Sequence, residues 1–409
     1  KKKEIADVFA SFLQQLSHPV QFHIKTVSVN LSPYFEKNEM EIKQKHPQLL
    51  PIYRDFVSFE ETLVSENAVR NRLFYVVIPL EDWEVKRTGD GKTESERKLE
   101  ALERRVKVVQ EGLERAGLAS VRLETPQLVS FISSYFEDRI AVGNEYLSST
   151  SMLKSYVEKK SSVLPEEIET AVIEGIEYID EKPPKPAKRF LPSLSPSDYL
   201  MPQKEGETDL IKRFEKIMLR DLICPGKIET KKDHIKVNES YNRIIMGQGF
   251  PASVENGWLD RLISTRDNYD ITIHIEPFSI ETAKILLHNQ IIKEQADYSL
   301  ATQKGNPNPS LANKLESTKM LFDWLDKGEE RLFSTSVYVM CKANTLEQLD
   351  YLTDKCKADL NSVSIIPKIP YYRMAPAMLS VIPLGTDKLQ RKREFPTSAL
   401  AATFPFISS

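Results

Sequence analysis

Cysteine is scarce. The 409 residues contain three, Cys224, Cys341 and Cys356, an odd number and widely spaced. That spacing argues against a disulfide framework and for a reducing compartment. Histidine is scarce too: His18, His23, His46, His234, His274 and His288. None lies three or four residues from another His or Cys, and no Cys-x-x-Cys occurs, so no metal-ligand spacing is present. No apolar run approaches the ~20 residues a membrane helix needs, and the Lys-rich start is followed by no hydrophobic segment of a signal peptide. Neither sign of charge dominates. The net charge is −3 and the pI about 6.2, so no global basic field recruits nucleic acid. No Gly-x-Ser-x-Gly elbow occurs, and no Cys neighbours a His. The nearest approach to a phosphate loop is Gly89-Asp90-Gly91-Lys92-Thr93, but the first glycine of that motif would fall at position 86, which is Lys86. The sequence therefore nominates no catalytic, nucleotide-binding or metal residue, and no cofactor for this chain. Residue 1 is lysine, so the chain reads as a piece of a longer protein.

Hydrophobic residues make up 41% and charged residues 28%, ordinary for a globular chain long enough for two or three domains. Apolar spacing predicts a helix over Ile5–Leu16, and Val20, Phe22 and Ile24 alternate as a strand. Charged helix follows, interrupted at Pro47 and Pro51. Leu73–Ile78 reads as a buried strand, Glu96–Ala116 as a long helix closed by Gly117, and Val121–Leu123 as a short strand. Thr125-Pro126 opens another helix, and Pro165–Ile179 could form one more. Six prolines between Glu181 and Pro202 forbid regular structure. We therefore expect an α/β (α+β) protein of two consecutive small units with ferredoxin-like or split-βαβ character. The divisions are 1–180, a Pro-rich linker at 181–208, and 209–409. The basic runs Lys185–Arg189 and Lys388–Arg393 are short and lack interleaved aromatics, so direct nucleic-acid binding is not expected.

The stretch His234–Pro277 organises the second unit. Tyr241–Met246 has strand character, then Gly247, Gly249 and Pro251 turn the chain. Ser253 reads as the N-cap of a helix carrying Trp258, Leu259, Leu262 and Ile263. Ile271, Ile273 and Ile275 then alternate with Thr272, His274 and Glu276, the pattern of a half-buried strand. On that pattern His274 is a surface or hydrogen-bonded structural residue. Further on, helices are expected with stripes Ala283, Leu286, Leu287, Ile291 and Leu315, Met320, Leu321, Trp324, Leu325. Phe333–Cys341 is a strand, Thr345 with Gln348 opens a helix, and Ser362–Ile366 closes as a strand.

The order Tyr241, Arg243, Pro251, Gly257-Trp258-Leu259, Asp270-Ile271, His274-Ile275 and Pro277 resembles the N-terminal region of the conjugative type IV secretion ATPases. Leu384-Gly385-Thr386-Asp387, Pro396-Thr397 and Phe404-Pro405-Phe406 extend the likeness over roughly the last 180 residues, and in that family they lead into the motor. The resemblance implies a non-catalytic docking and assembly region. Its parent would energise pilus assembly and DNA or protein transfer through a RecA-like C-terminal domain using ATP and Mg. It implies as partners the inner-membrane channel proteins, the parent's own motor and further copies of itself. It places the chain in the cytoplasm, peripheral to the inner face of the cell membrane. Two alternatives stand beside it: a stand-alone cytosolic enzyme with a pocket between the two α/β units, and an unrelated interaction or scaffold protein.

Overall fold

The computed structural model describes residues 2–28, 32–66, 70–81, 84, 93–136, 225–251, 253–265, 267–304 and 309–406. The Pro-rich segment, Pro165–Ile179, most of the Gly89–Thr93 loop and Cys224 lie outside them. The chain divides into two compact units, 1–122 with 226–409, and 123–225. In the second, α5 (Thr125–Ser133) starts where Thr125-Pro126 predicts.

In the first unit, α1 (Lys2–Gln15) buries Ala6, Phe9, Phe12 and Leu13 along one face, with Leu16 just beyond its end. Strand β1 (Val20–Ser28) follows, then α2 (Ser32–Lys45), a 3-10 turn at Pro47–Leu49, α3 (Leu50–Glu66) and β2 (Arg70–Val77). The helix α4 (Glu94–Arg115) opens with a capping box: Glu96 N–H donates to Thr93 Oγ1 (3.3 Å) and Thr93 N–H to Glu96 Oε2 (2.7 Å). It closes before Gly117, whose φ of +80° suits glycine.

After residue 225 come β3 (Ile228–Thr230), β4 (Ile235–Val237), β5 (Ser240–Gly249), the single turn α6 (Asp260–Ile263) and β6 (Tyr269–Pro277). A helical hairpin, α7 (Ile280–Gln303) and α8 (Pro309–Lys327), leads to β7 (Leu332–Ala343). Then come α9 (Leu346–Ser362), β8 (Ile366–Lys368), α10 (Met374–Val381), β9 (Arg393–Pro396) and α11 (Thr397–Ala401).

Among the described residues nine strands form one sheet, seven in the order β2-β1-β6-β7-β5-β4-β3 with β8 added on β5 and β9 on β7, and every pairing is antiparallel. The strands β5 and β6 are thus mutually parallel, with β7 between them. The fold is of the α/β class. The two halves of the sequence, however, share this sheet: β1 pairs with β6 from Val20↔Ile275 to Ile24↔Ile271. Arg72 of β2 reinforces the join by donating to the carbonyls of Tyr269 (2.6 Å) and Thr265 (2.8 Å). The chain's end returns to its start. Phe404 and Phe406 stand edge-on to Phe9 at 5.3 and 6.3 Å, and Arg331 Nη1 donates to the Gln14 and Leu16 carbonyls at 2.7 Å, capping the end of α1.

Several local expectations change. β2 is an edge strand and only half-buried. Val121 is exposed and outside any strand. Ser253 caps nothing; the helix after it is confined to Asp260–Ile263 because Gly257, at φ +84°, turns the chain and donates its N–H to the Ala402 carbonyl (2.9 Å). Met320, Trp324 and, on α7, Leu286 stay partly exposed. The closing strand begins at Ile366, since Ser364 at φ +60° still belongs to the turn out of α9. The largest change is at β6, where Tyr269–Ile275 is buried on both faces.

Candidate functional site

Register brings a row of polar side chains together under α10. Gln21 lies opposite His274, His23 opposite Thr272, Thr272 opposite Tyr338 and His274 opposite Ser336. Period-two alternation therefore puts all of them on one face of the sheet. His23 Nδ1 meets Thr272 Oγ1 at 2.8 Å, and Thr272 Oγ1 donates to the Val381 carbonyl at 3.0 Å. His274 Nε2 donates to the Ser380 carbonyl at 2.6 Å. Gln21 Nε2 donates to the Val381 and Ile382 carbonyls, while its Oε1 accepts from Gly385 N–H at 2.7 Å. Asp387 accepts from Ser336 and Tyr338 hydroxyls, both 2.8 Å, and from the Leu389 and Gln390 N–H groups.

The electrostatics follow from burial. Desolvation, aided by the charge of Lys25, lowers His23 to about 3. Burial also lowers His274, against its bond to Ser380. Both imidazoles are neutral near pH 7. Burial alone would raise Asp387, but the Gln390 N–H and the Ser336 hydroxyl hold its carboxyl below the usual range. Two residues along each strand, burial pushes Lys25 down to about 7 and Asp270 up, each toward its neutral form. Asp270 Oδ1 also accepts from Thr26 N–H at 2.8 Å. These groups spend their hydrogen bonds on backbone and on one another, so the layer clamps the 380–390 segment to the sheet.

The open part of this face lies where the sheet forks. β6 occupies one edge of β7 along its length; the other edge carries β5 at Tyr338–Ala343 and β9 at Leu332–Thr335. β5 leaves β7 after Met246, with a bulge between Gly247 and Gly249 in its pairing with β8. The resulting cleft, about 160 Å³, is lined by Gln248, Lys368, Gln390, Arg391, Lys392 and Arg393 among others. A second hollow of about 410 Å³ adjoins it, walled by Phe250, Pro251, Val254, Phe395 and Ala399. Arg393 separates the two and donates from Nε to the Gln248 carbonyl (3.1 Å).

Of the six histidines, the fold joins His23 and His274 through one polar layer. His18 is buried elsewhere, lowered to about 4 by burial and then by Arg105. His234 lies 2.9 Å from Asp233, and His46 and His288 are exposed. Among the described residues no group of three or more His, Cys, Asp or Glu could hold a metal ion. Cys341 and Cys356, 15 positions apart, meet as free buried thiols. The polar layer was within reach of the sequence, since Gln21, His23 and Lys25 alternate as Thr272 and His274 do; the cleft was not, since its walls come from three separate stretches. No family model matches the chain, and no curated protein matches it.

Proposed function

We propose that this chain is the docking and assembly region of a type IV secretion ATPase, working by binding rather than by chemistry. One observation carries the reading: the residues of the resemblance occupy the joints of a single unit. Arg243 on β5 holds Asp350 of α9 (2.6 Å) and Asp233 of the β3–β4 turn (2.7 Å). Gly257 ties the β5–β6 connection to Ala402, His274 holds α10, Asp387 fastens its turn to β7, and Phe404 and Phe406 seal α1. The reading is thus supported by residues that lie far apart in sequence and make tertiary contacts within one unit.

A docking role is also consistent with the open surface. The helical hairpin keeps Ile285, Ile292, Leu300, Met320 and Trp324 about half exposed, and among the described residues the sheet ends in the short edge strand β3 and the half-buried β2, sites open to another chain. No helix among the described residues is long and apolar enough to cross a membrane, so membrane attachment in this reading goes through partners. The experiment is expression of the chain in a cell carrying an intact secretion apparatus. It should appear in the inner-membrane fraction, co-purify with a channel component and depress transfer by competition. A chain that pulls down no channel component and leaves transfer unchanged at high expression defeats the reading.

A further inference from the structure

The run Lys388–Arg393 contains no aromatic residue, and by local sequence it is a poor nucleic-acid element. The fold supplies aromatics from elsewhere. The β3–β4 turn and the segment after β8 meet at the outer edge of β5: Tyr372 N–H donates to the Lys232 carbonyl at 2.7 Å. Lys232 Nζ lies 5.5 Å from the ring centroids of both Tyr371 and Tyr372. These rings are 52% and 77% exposed, and Tyr372 holds a φ of +61°, where bulky residues are uncommon. Two adjacent aromatic rings are thus kept in water at a backbone cost.

Both ends of this turn lead to the cleft. Lys368, three residues before Tyr371, lines it opposite Arg391. Arg373, next after Tyr372, reaches the Lys388 carbonyl at 3.5 Å. Lys368, Arg373, Lys388 and Arg391 form no ion pair among the described residues, whereas Lys392 is engaged by Glu276, and Asp233 by Arg243 and His234. The chain's net charge of −3 conceals a local track of cations that ends in two exposed rings.

We propose that this track binds single-stranded nucleic acid. Its phosphates lie against Lys368, Arg373, Lys388 and Arg391, and unpaired bases stack on Tyr371 and Tyr372. Cations alone would serve an acidic polypeptide. Side-by-side exposed rings beside the cations favour bases, each of which offers a flat face to an aromatic side chain. A duplex hides those faces. The proposal does not depend on the docking role.

The test is fluorescence anisotropy of the full chain with a labelled oligothymidylate of about twelve nucleotides. Binding should weaken about 50-fold between about 50 and about 200 mM salt, as four phosphate contacts on a single strand require. Tyr371→Leu and Tyr372→Leu should each weaken it about tenfold, while Tyr371→Phe and Tyr372→Phe retain it. Lys368→Glu with Arg391→Glu should weaken it further and flatten the salt dependence, whereas Lys319→Glu on α8 changes nothing. Melting curves of each variant check the fold. The proposal is overturned by absence of binding at low salt, by equal affinity for a duplex of the same length, or by polyglutamate competing equally well with both tyrosines replaced.

Discussion

At the scale of single residues, neighbouring positions on β6 test the difference between a half-buried strand and one covered on both faces. Ile273→Ala removes core volume on the α1 side and should cost about 2–5 kcal/mol. Thr272 looks harmless by alternation, yet it is fully buried and links His23 to the Val381 carbonyl. Thr272→Ala removes two buried hydrogen bonds, each worth about 0.5–1.5 kcal/mol, and should cost about 1–3 kcal/mol although Gln21 still reaches the Val381 carbonyl; denaturant unfolding that finds it neutral refutes the clamp. His23 adds a pH dependence. Its folded value of about 3 lies below the ordinary 6.5, so the unfolded chain binds the extra proton between those values. Stability is therefore unaffected above pH 6.5 and falls as pH drops toward 3, by about 1.4 kcal/mol per pH unit for this group. His23→Gln should flatten that slope by one proton in urea titrations across the window. Gly112 on α4 makes the opposite point about propensity. Alanine normally favours a helix by about 1 kcal/mol over glycine, but a Cβ here would sit 2.1 Å from Phe12 Cδ2. Gly112→Ala should lower the melting temperature.

At the scale of elements, the α7–α8 hairpin depends on one buried carboxylate. Glu294 accepts from Gln290 (2.9 Å) and Thr318 (2.8 Å) and pairs with Lys314 (3.2 Å). Burial would raise its pKa, but those bonds outweigh burial and hold it below the ordinary 4.5. A depressed carboxylate contributes stability above its unfolded value and loses it as pH falls through the folded one. Glu294→Ala should loosen this hairpin before the sheet, seen as faster amide exchange in 309–327 with little change in β6 and β7; uniform acceleration throughout would refute a local role. Helix spacing in the sequence located both arms. It missed how much of their apolar surface stays open, because α7 carries isoleucines and leucines on more than one side, and which side is covered depends on where the sheet lies.

At the scale of the whole molecule, the shared sheet makes the two halves inseparable. Removing 1–180 would strip β1 from β6 and expose Phe404 and Phe406, so residues 226–409 expressed alone should aggregate. Trypsin offers a gentler cut. The Pro-rich segment contains Lys182, Lys185, Lys188 and Arg189. Cleavage there should leave two pieces that co-elute as one particle, held by the β1–β6 ladder; pieces that separate on size exclusion without denaturant overturn this account.

The sequence by itself determined most elements and their kinds, because helix caps and apolar periods are local: Thr345 with Gln348, the Gly117 stop, the Ile271–Ile275 alternation. It also determined the α/β class. The tertiary structure alone decided which strands are neighbours, since β1 and β6 lie some 250 positions apart and period-two patterns do not name a partner. It decided that the polar face of β6 is covered, because α10 comes from residues 374–381, about a hundred positions away. It also decided that Lys368 and Arg391 line one cleft, because proximity there is set by the fork of β5 and β9 from β7 and not by sequence spacing.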